Sequence, residues 1–305
     1  MSDRFCEMHG KLSVKNGRLT DANGEEIRLF GMSAYWLFPF RQFLKKEGLL
    51  TLRDEWHTNC LRLPVSSWHY KEDNNGEGQI KLLKEVVETA TELGFYVIID
   101  WHVLGEQNPL KTMDLAVDFF GKIMPLYKDY TNILYEICNE PNREGTWDCI
   151  CEYADTIIPL IRKNDPDSVI LVGTPTWSQD VDIAADYPLN YENIMYSLHF
   201  YASSHKEYIR LKALYALKKG LPIFVNEFGL CSATGNGDID EYEASEWKKI
   251  MDQYNISYIC WNLSTVNEAS AVLKHDCTSL AHWRDDEISR QGHIVKSWFE
   301  KENIH

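Results

Sequence analysis

The stretch Gly94-Phe-Tyr-Val-Ile-Ile-Asp-Trp-His102 decides the fold, because it joins the end of a helix to a strand. Apolar residues recur at helical spacing before it, from Ile80 to Ala90, and Gly94 has the place of a helix-ending glycine. The run 96–101 that follows is apolar and rich in β-branched residues, which is typical of a strand. A helix followed at once by such a strand is one repeat of an α/β fold.

The same repeat is found along the whole chain, at intervals of roughly 30 residues, close to the size of one βαβ unit. The predicted strands are 27–32, 60–65, 96–101, 133–138, 169–173, 194–199, 223–227 and 256–261. Further helical faces lie within 119–127, 153–161 and 211–217. Eight β-then-α repeats predict an α/β fold of the (β/α)8 or TIM-barrel class. An open doubly wound sheet is the alternative, but no G-x-G-x-x-G follows the first strand.

Length and composition are those of a globular chain that needs no disulfide bond or metal ion to fold. Of 305 residues, 44% are hydrophobic and 25% charged, and no low-complexity linker divides them, so we expect one catalytic domain over 1–305. There are 31 Lys and Arg against 46 Asp and Glu, a net charge of −15. Because this charge repels phosphate backbones and anionic lipids, nucleic acid and membrane surfaces are poor partners, and a neutral ligand is the simplest match.

Neither the first residues nor the cysteines suggest another class of protein. Residues 1–10 contain no apolar stretch of signal-peptide length, which predicts a cytoplasmic protein or a mature domain whose signal was removed. The eight cysteines lack the spacing of a zinc site, and Cys149 and Cys151 diverge on a predicted helix. We therefore expect buried or inert thiols, no metal and no cofactor.

Polar side chains crowd the carboxyl ends of the predicted strands, where a TIM barrel carries its active site. They are Arg62, Asp100, His102, Asn139, Glu140, His199, Tyr201, Asn226, Glu227, Trp261 and Asn262. Each residue alone has an ordinary structural explanation, such as a capping Asn or a hydrogen-bonded core His. Their convergence from six of eight strands on one rim indicates an active site.

Two of these residues, Glu140 and Glu227, follow strands half a barrel apart and therefore face each other. Two carboxyl groups on either side of one bond are what glycoside hydrolysis requires. Arg62 and Tyr201 near Glu227 favour its charged form, which suits a nucleophile. Glu140 is then the acid, with its pKa raised by partial burial and the charge of Glu227. We expect the two groups to lie about 5 Å apart, the separation for a retaining mechanism.

Four aromatic side chains at the rim offer flat faces for stacking on a sugar ring. They are Tyr35, Trp36, Trp177 and Trp261. The alternative for each is packing within the barrel or against a helix. A cleft that accepts a polymer needs free access, so we expect a monomer.

At these residues the sequence resembles the bacterial endoglucanases of glycoside hydrolase family 5, the clan-A cellulases. The matching motifs are Gly10-Lys-Leu-Ser-Val14, Gly31-Met-Ser33, Tyr96-Val-Ile-Ile-Asp-Trp-His102, Tyr135-Glu-Ile-Cys-Asn-Glu-Pro-Asn142, Ile161-Arg-Lys-Asn-Asp-Pro-Asp167, Val172-Gly-Thr-Pro-Thr-Trp-Ser-Gln-Asp180, Tyr196-Ser-Leu-His-Phe-Tyr-Ala202, Pro222-Ile-Phe-Val-Asn-Glu-Phe-Gly229 and Trp261-Asn-Leu-Ser264. They span almost the whole chain. The Asn-Glu-Pro segment together with Glu-Phe-Gly is specific.

The resemblance implies a retaining double displacement on β-1,4-glucan without metal or cofactor, in a secreted, extracellular enzyme. It also implies individual roles, with Glu140 as acid/base and Glu227 as nucleophile. The implied substrate-binding residues are Arg62 on the nucleophile, Asn139 on the sugar 2-hydroxyl, His102, His199 and Tyr201 around the −1 sugar, Trp261 as its platform and Trp177 on the leaving-group side. Tyr35, Trp36 and Glu268 complete the implied sugar-binding set.

Four positions depart from the family pattern. Tyr35 stands where these endoglucanases usually have His, Pro39 near the place of a Trp, Phe228 where they have Trp, and Val266 near the place of a sugar-contacting Lys. None of them touches the two carboxylates, but they affect the walls that choose the sugar. A β-mannanase or a mixed glucan/xylan hydrolase is therefore the alternative within the family. Outside it, a metal-dependent barrel hydrolase and a non-catalytic glycan-binding module are the competing hypotheses.

Overall fold

Eight parallel strands close into a barrel in this computed structural model, which describes residues 4–74 and 76–302. The barrel strands, preceded by a small hairpin β1 (Ser13–Lys15) and β2 (Arg18–Thr20), are β3 (Phe30–Ala34), β4 (Cys60–Ser66), β5 (Tyr96–His102), β6 (Ile133–Glu136), β7 (Ile170–Val172), β8 (Ile194–Tyr201), β9 (Ile223–Gly229) and β10 (Tyr258–Leu263). Each strand pairs with the next in chain order, and β10 pairs with β3 to close the barrel. The predicted (β/α)8 class is confirmed.

Helices surround the barrel and connect its strands. They are α1 (Phe5–His9), α2 (Lys46–Asp54), α3 (Ser67–Glu72), α4 (Glu77–Glu92), α5 (Met113–Tyr127), α6 (Trp147–Arg162), α7 (Pro175–Ser178), α8 (Val181–Asp186), α9 (Glu207–Lys218), α10 (Glu241–Gln253) and α11 (Arg290–Phe299). The four helical faces predicted from the sequence lie on α4, α5, α6 and α9. Within the described residues, no helix combines the length and the apolar character needed to cross a membrane.

The two-residue period of each strand separates the barrel interior from the layer under the helices. In β5, Val97, Ile99 and Trp101 pack in the large core shared with the helices. Tyr96 and Ile98 belong to the second core, inside the barrel. Asp100 and His102 continue the inward series, so the same alternation that buries the apolar residues directs these polar side chains into the barrel mouth.

The amino-terminal end of the barrel is closed by elements that the sequence did not predict. The hairpin of β1 and β2 packs Leu12 and Leu19 into the interior core together with Ile27 and Leu29. Residues 27–29 therefore line the base of the barrel ahead of β3, where the carbonyl of Leu29 accepts from the backbone N–H of Tyr258 on β10 at 2.9 Å. The first strand begins at Phe30 rather than at residue 27, the largest boundary error among the eight predictions.

Strand β9 contains a bulge that changes which of its residues face inward. Ser197 and His199 of β8 pair with Phe224 and Glu227, so two steps on one strand span three on the other. The pairing with β10 shifts at the same place. Phe224 faces the interior, and strict alternation would turn Glu227 away from it. The extra residue restores the inward direction of Glu227, as bulges beside active sites commonly do.

Candidate active site

The carboxyl ends of the barrel strands enclose a cleft of about 570 Å³. The predicted site residues that line it are Tyr35, Trp36, His102, Glu140, Trp177, His199, Tyr201, Glu227, Trp261 and Glu268. The other two, Arg62 and Asn139, lie beneath the cleft and are completely buried. The structure therefore brings these twelve residues together, whereas Asp100, Asn226 and Asn262 of the predicted rim are buried and do not line the cleft.

Glu227 lies on the cleft floor with both carboxylate oxygens engaged. Arg62 Nη1 donates to its Oε2 at 2.9 Å, and the hydroxyl of Tyr201 donates to its Oε1 at 2.9 Å. Gly229 makes this second contact possible, since a Cβ there would lie 2.6 Å from the ring of Tyr201. These two donors, one of them a buried guanidinium, favour a negative charge on the carboxylate oxygens. The side chain is only 6% exposed, so bulk water contributes little to the stabilisation of this charge.

Glu140 follows the end of β6 and stands in different surroundings. Its Oε1 lies 2.9 Å from Nδ1 of His199. Burial raises the pKa of Glu140 to about 8; Arg62 opposes this, while the charges of Glu136 and Asp100 add to it. Burial also lowers the pKa of His199 to about 4, so this imidazole is neutral at pH 7. The expected rise is present, but its electrostatic part comes from carboxylates below the cleft rather than from Glu227.

The two carboxyl groups face each other at short range. One oxygen of Glu140, one of Glu227 and a ring nitrogen of His199 all lie within 4.8 Å of one another. Among the described residues this is the one cluster of three His, Cys, Asp or Glu side chains with spacing that would also suit a metal ion. The absence of a metal from the reaction therefore stays a prediction.

A buried ion-pair network below the cleft holds Arg62. Its Nε and Nη2 donate to the two oxygens of Glu136 at 2.7 and 2.8 Å, and Nη2 lies 2.9 Å from Asp100 Oδ2. Burial would lower the pKa of Arg62, but the surrounding carboxylates outweigh it and raise the pKa well above its ordinary value. Glu136 is not among the site residues predicted from the sequence. The available signal was a carboxylate within the otherwise apolar run 133–138.

Asn139 and His102 extend this network to the cleft surface. Asn139 Oδ1 accepts from Arg62 Nη2 at 2.5 Å, and its Nδ2 lies 3.4 Å from Nε2 of His102. The other ring nitrogen of His102 lies 2.6 Å from Asp100 Oδ2. The His102 ring stacks on Trp261, with centroids 5.6 Å apart and planes inclined by 11°. A continuous chain of contacts thus joins the Trp261 face to Arg62.

The remaining aromatic side chains form the two ends of the cleft. Tyr35 contacts both Trp261 and Trp36, with ring centroids 5.5 and 5.1 Å apart, and its hydroxyl lies 3.4 Å from Glu268 Oε1. Trp177 lies apart from this group and is 36% exposed. The two explanations offered for these aromatic residues, packing in the barrel and stacking on a sugar, therefore apply to different residues. Trp261 is packed and nearly buried, while Trp177 presents an open face to the cleft.

A left-handed turn presents Trp177 to the cleft. Thr176, Trp177 and Ser178 have φ values of 56°, 55° and 55°, a conformation that costs free energy for residues other than glycine. Two hydrogen bonds hold the turn: Trp177 N donates to the carbonyl of Pro141 at 3.0 Å, and Ser178 Oγ to that of Asn139 at 2.6 Å. The turn is thereby attached on both sides of Glu140.

Glu140→Gln is expected to stabilise the fold at alkaline pH. The carboxyl ionises near pH 4.5 in the unfolded chain but only near pH 8 in the native one, so the parent loses stability as pH rises between these values. The variant carries no ionisable group there. Its melting temperature should exceed the parent's by several degrees more at pH 9 than at pH 4. Exposed Glu241→Gln is the control, and a pH-independent difference would contradict the prediction.

Comparison with known proteins agrees with this geometry. The family model for cellulase (glycosyl hydrolase family 5) matches residues 20–267. The chain is 42% identical over 288 residues to an endoglucanase of Clostridium saccharobutylicum, which covers 94% of this chain and 64% of that protein. It is 40% identical over 299 residues to endoglucanase A of Butyrivibrio fibrisolvens, covering 95% and 68% respectively. The chain thus spans about two thirds of the length of these relatives.

A solved structure has nearly the same backbone. The catalytic domain of Thermobifida fusca endoglucanase Cel5A superimposes with a TM-score of 0.93 at 34% identity, covering 98% of this chain and 100% of that one. Another structure of that domain is a complex with cellotetraose. Together with the family match over most of the barrel, these similarities establish that the chain belongs to glycoside hydrolase family 5, the cellulase family.

Proposed function

We propose that this chain is an endo-β-1,4-glucanase that hydrolyses internal bonds of cellulose and related β-glucans with retention of configuration. The observation that carries the proposal is the approach of the Glu140 and Glu227 carboxyl groups, with oxygens within 4.8 Å across an open cleft. Retaining glycosidases hold their carboxyl groups about 5–5.5 Å apart, whereas inverting enzymes need roughly 6.5–9.5 Å to admit a water molecule.

In this mechanism Glu227 is the nucleophile. Arg62 and Tyr201 hold one oxygen each and keep the carboxylate charged and oriented. One oxygen attacks the anomeric carbon, the bond to the leaving oxygen breaks, and a covalent glycosyl-enzyme forms. The attack neutralises the carboxylate, which loosens its hold on Arg62 and prepares it to leave in the second step.

Glu140 is the acid and then the base. With a pKa near 8 it is protonated at pH 6–7 and gives its proton to the departing oxygen. The resulting carboxylate then takes a proton from water as that water attacks the glycosyl-enzyme. The neutral His199 at 2.9 Å orients the carboxyl without supplying a positive charge that would lower its pKa.

The other cleft residues bind the polymer on either side of the scissile bond. His102 and Trp261 surround the sugar that is attacked. Asn139 is buried beneath them, with its amide nitrogen 3.4 Å from His102 Nε2, and is the residue that the family resemblance assigns to the sugar 2-hydroxyl. Tyr35, Trp36 and Glu268 serve the glycone side, and Trp177 serves the leaving-group side. The names of the relatives and the cellotetraose complex of the Thermobifida domain support glucan as the substrate.

An activity panel with an anomeric readout tests the proposal. We expect the release of reducing ends from carboxymethyl cellulose and barley β-glucan to exceed that from mannan and xylan. Proton NMR during hydrolysis should show the β-anomer first and the α-anomer only after mutarotation. A chelator should leave the rate unchanged, since no step of the double displacement needs a metal. Preference for mannan, or the α-anomer appearing first, would overturn the substrate or the mechanism respectively.

Trp177→Ala is expected to lower kcat/KM on polysaccharide about tenfold. The exposed indole face offers apolar area to a sugar ring, and losing such a stacking contact costs about 1.4 kcal/mol. Tyr242→Ala is the matched control, because Tyr242 is 69% exposed on α10, outside the cleft. Equal activity of both variants would remove Trp177 from the binding surface.

A further inference from the structure

The barrel interior beneath the cleft contains more acidic than basic groups. Arg62, Asp100 and Glu136 are completely buried, and Glu227 above them is nearly so. Three full negative charges around one guanidinium are costly in a poorly solvated interior, because each carboxylate loses its hydration and repels the others. Bound protons are the simplest way to reduce this cost.

The hydrogen-bond pattern shows where a proton is needed. Both oxygens of Glu136 accept from the Arg62 guanidinium, while Asp100 Oδ1 is buried and accepts from no donor. Asp100 and Glu136 are also register partners on the neighbouring strands β5 and β6, and their carboxyl groups contact each other. Two ionised carboxylates cannot bond to each other, since neither has a donor. A proton on Asp100 Oδ1 satisfies that oxygen and turns the contact into a hydrogen bond.

The rest of the network then has consistent donors and acceptors. With Asp100 neutral, His102 Nδ1 donates to Asp100 Oδ2 at 2.6 Å. Its Nε2 is left as an acceptor facing the amide of Asn139, at 3.4 Å. Burial lowers the pKa of His102 to about 4, so the ring has a single proton to place. The Asn139 carbonyl oxygen remains for Arg62.

We infer that Asp100 and Glu136 share one proton, held on Asp100 Oδ1, and that this pair is a positioning device that directs Arg62 towards Glu227 and sets the tautomer of His102. Neither residue reaches the cleft. The pair lets Arg62 balance two carboxylates, Glu136 and Glu227, instead of three.

The charges around Asp100 agree with this placement of the proton. Burial raises the pKa of Asp100 to about 7 and the charge of Glu227 adds to the rise, while Arg62 and the contact with Glu136 oppose it. The titratable groups that face or influence it are His102 on its own strand, Arg62 on β4, Glu136 on β6, Cys138 and Glu140 after β6, Tyr153 on α6 and Glu227 on β9. Arg62 is the one positive charge in this set.

Infrared spectroscopy tests the proton without relying on catalysis. In the full chain carrying Glu140→Gln, which removes the other protonated carboxyl, we expect a C=O band of a buried carboxylic acid at pH 6. Adding Asp100→Asn should remove this band. Adding Asp186→Asn should leave it, because Lys219 and Tyr215 lower the pKa of that exposed carboxyl. A band that survives Asp100→Asn would overturn the assignment.

Kinetics then test the positioning role, which rests on the proposed function. The amide of Asp100→Asn offers a donor to Glu136 and an acceptor to His102, as the neutral acid does. We therefore expect kcat at pH 6, below the pKa of about 7 that burial gives Asp100, to fall less than about tenfold. Glu136→Gln removes the bidentate partner of Arg62 and should lower kcat about a hundredfold, the usual cost of a misplaced reacting group.

The pH–rate profile of Glu136→Gln gives a further check. Glu136 contributes negative charge that raises the pKa of Glu140, so Glu136→Gln should move the alkaline limb to lower pH. If Asp100 were ionised at pH 6, the neutral amide of Asp100→Asn would lower kcat at that pH as much as Glu136→Gln does, and the inference would be wrong. Melting curves of both variants check that the barrel folds. An inactive parent chain would refute the proposed function while leaving the infrared result to decide the proton.

Discussion

Replacing Glu227 by Gln is expected to abolish activity on β-glucan, lowering kcat by about 10⁴-fold or more, as the loss of a nucleophile does in other enzymes with covalent intermediates. The amide keeps the size of the side chain and can still accept from Arg62 or Tyr201. It does not attack the anomeric carbon, so the first displacement stops. The variant should still bind the polymer, because the aromatic walls of the cleft are unchanged.

The measurement is reducing-sugar release from carboxymethyl cellulose by the parent, by Glu227→Gln and by the control Glu241→Gln. Glu241 is exposed and pairs with Arg290 outside the cleft. Affinity electrophoresis in the same glucan should show that Glu227→Gln is retarded like the parent. Residual activity above one part in a hundred would show that another group attacks the sugar.

Replacing Glu140 by Gln is expected to lower kcat on polysaccharide by about 10²–10⁴-fold, the range that general acid–base catalysis supplies. The variant has no proton to give to the leaving sugar. In an aryl cellobioside with an acidic phenol, the phenolate leaves without being protonated. Formation of the glycosyl-enzyme from this substrate should therefore be almost unaffected. Glycosyl-enzyme would then accumulate, because the second step still lacks a base.

The pH dependence gives an independent check. The acid must be protonated, and burial raises the pKa of Glu140 to about 8, so the rate of the parent on β-glucan should fall as pH rises through about 8. The residual rate of Glu140→Gln should lack this alkaline limb. Exogenous azide, which needs no base, should speed turnover of the aryl substrate by this variant only. An equal fall in kcat/KM on both substrates, a ratio that includes the first step but not hydrolysis of the glycosyl-enzyme, would assign the acid to another residue.

Much of the fold was predictable because it depends on local pattern. Each of the eight strand runs is a short apolar segment, and burial of both strand faces produces that signal without knowledge of neighbours. The carboxyl ends of parallel strands must share one rim. His102 and His199 could therefore be assigned to the cleft before any coordinates were known. The error at residues 27–29 has the same origin, since apolar residues that plug the barrel base look like strand residues.

Features that depend on contacts between distant segments were not predictable. In the sequence, Glu136 is an isolated polar residue in an apolar run. Its role as the partner of Arg62 follows only from the tertiary structure, in which Arg62 of β4 lies beside it. The left-handed turn at 176–178 contains no glycine, so the sequence carries no signal for it. It is held by the carbonyls of Asn139 and Pro141, which come from another part of the chain.

Periodicity along the chain thus specified the barrel class and the set of residues at its mouth, because strand and helix patterns reflect burial that each segment undergoes separately. The direction of Glu227, the proton balance around Arg62 and the cause of the raised pKa of Glu140 came from folding alone. A bulge is measured against the neighbouring strands, and an electrostatic field is the sum of charges that lie far apart in sequence. Neither quantity exists until those segments meet.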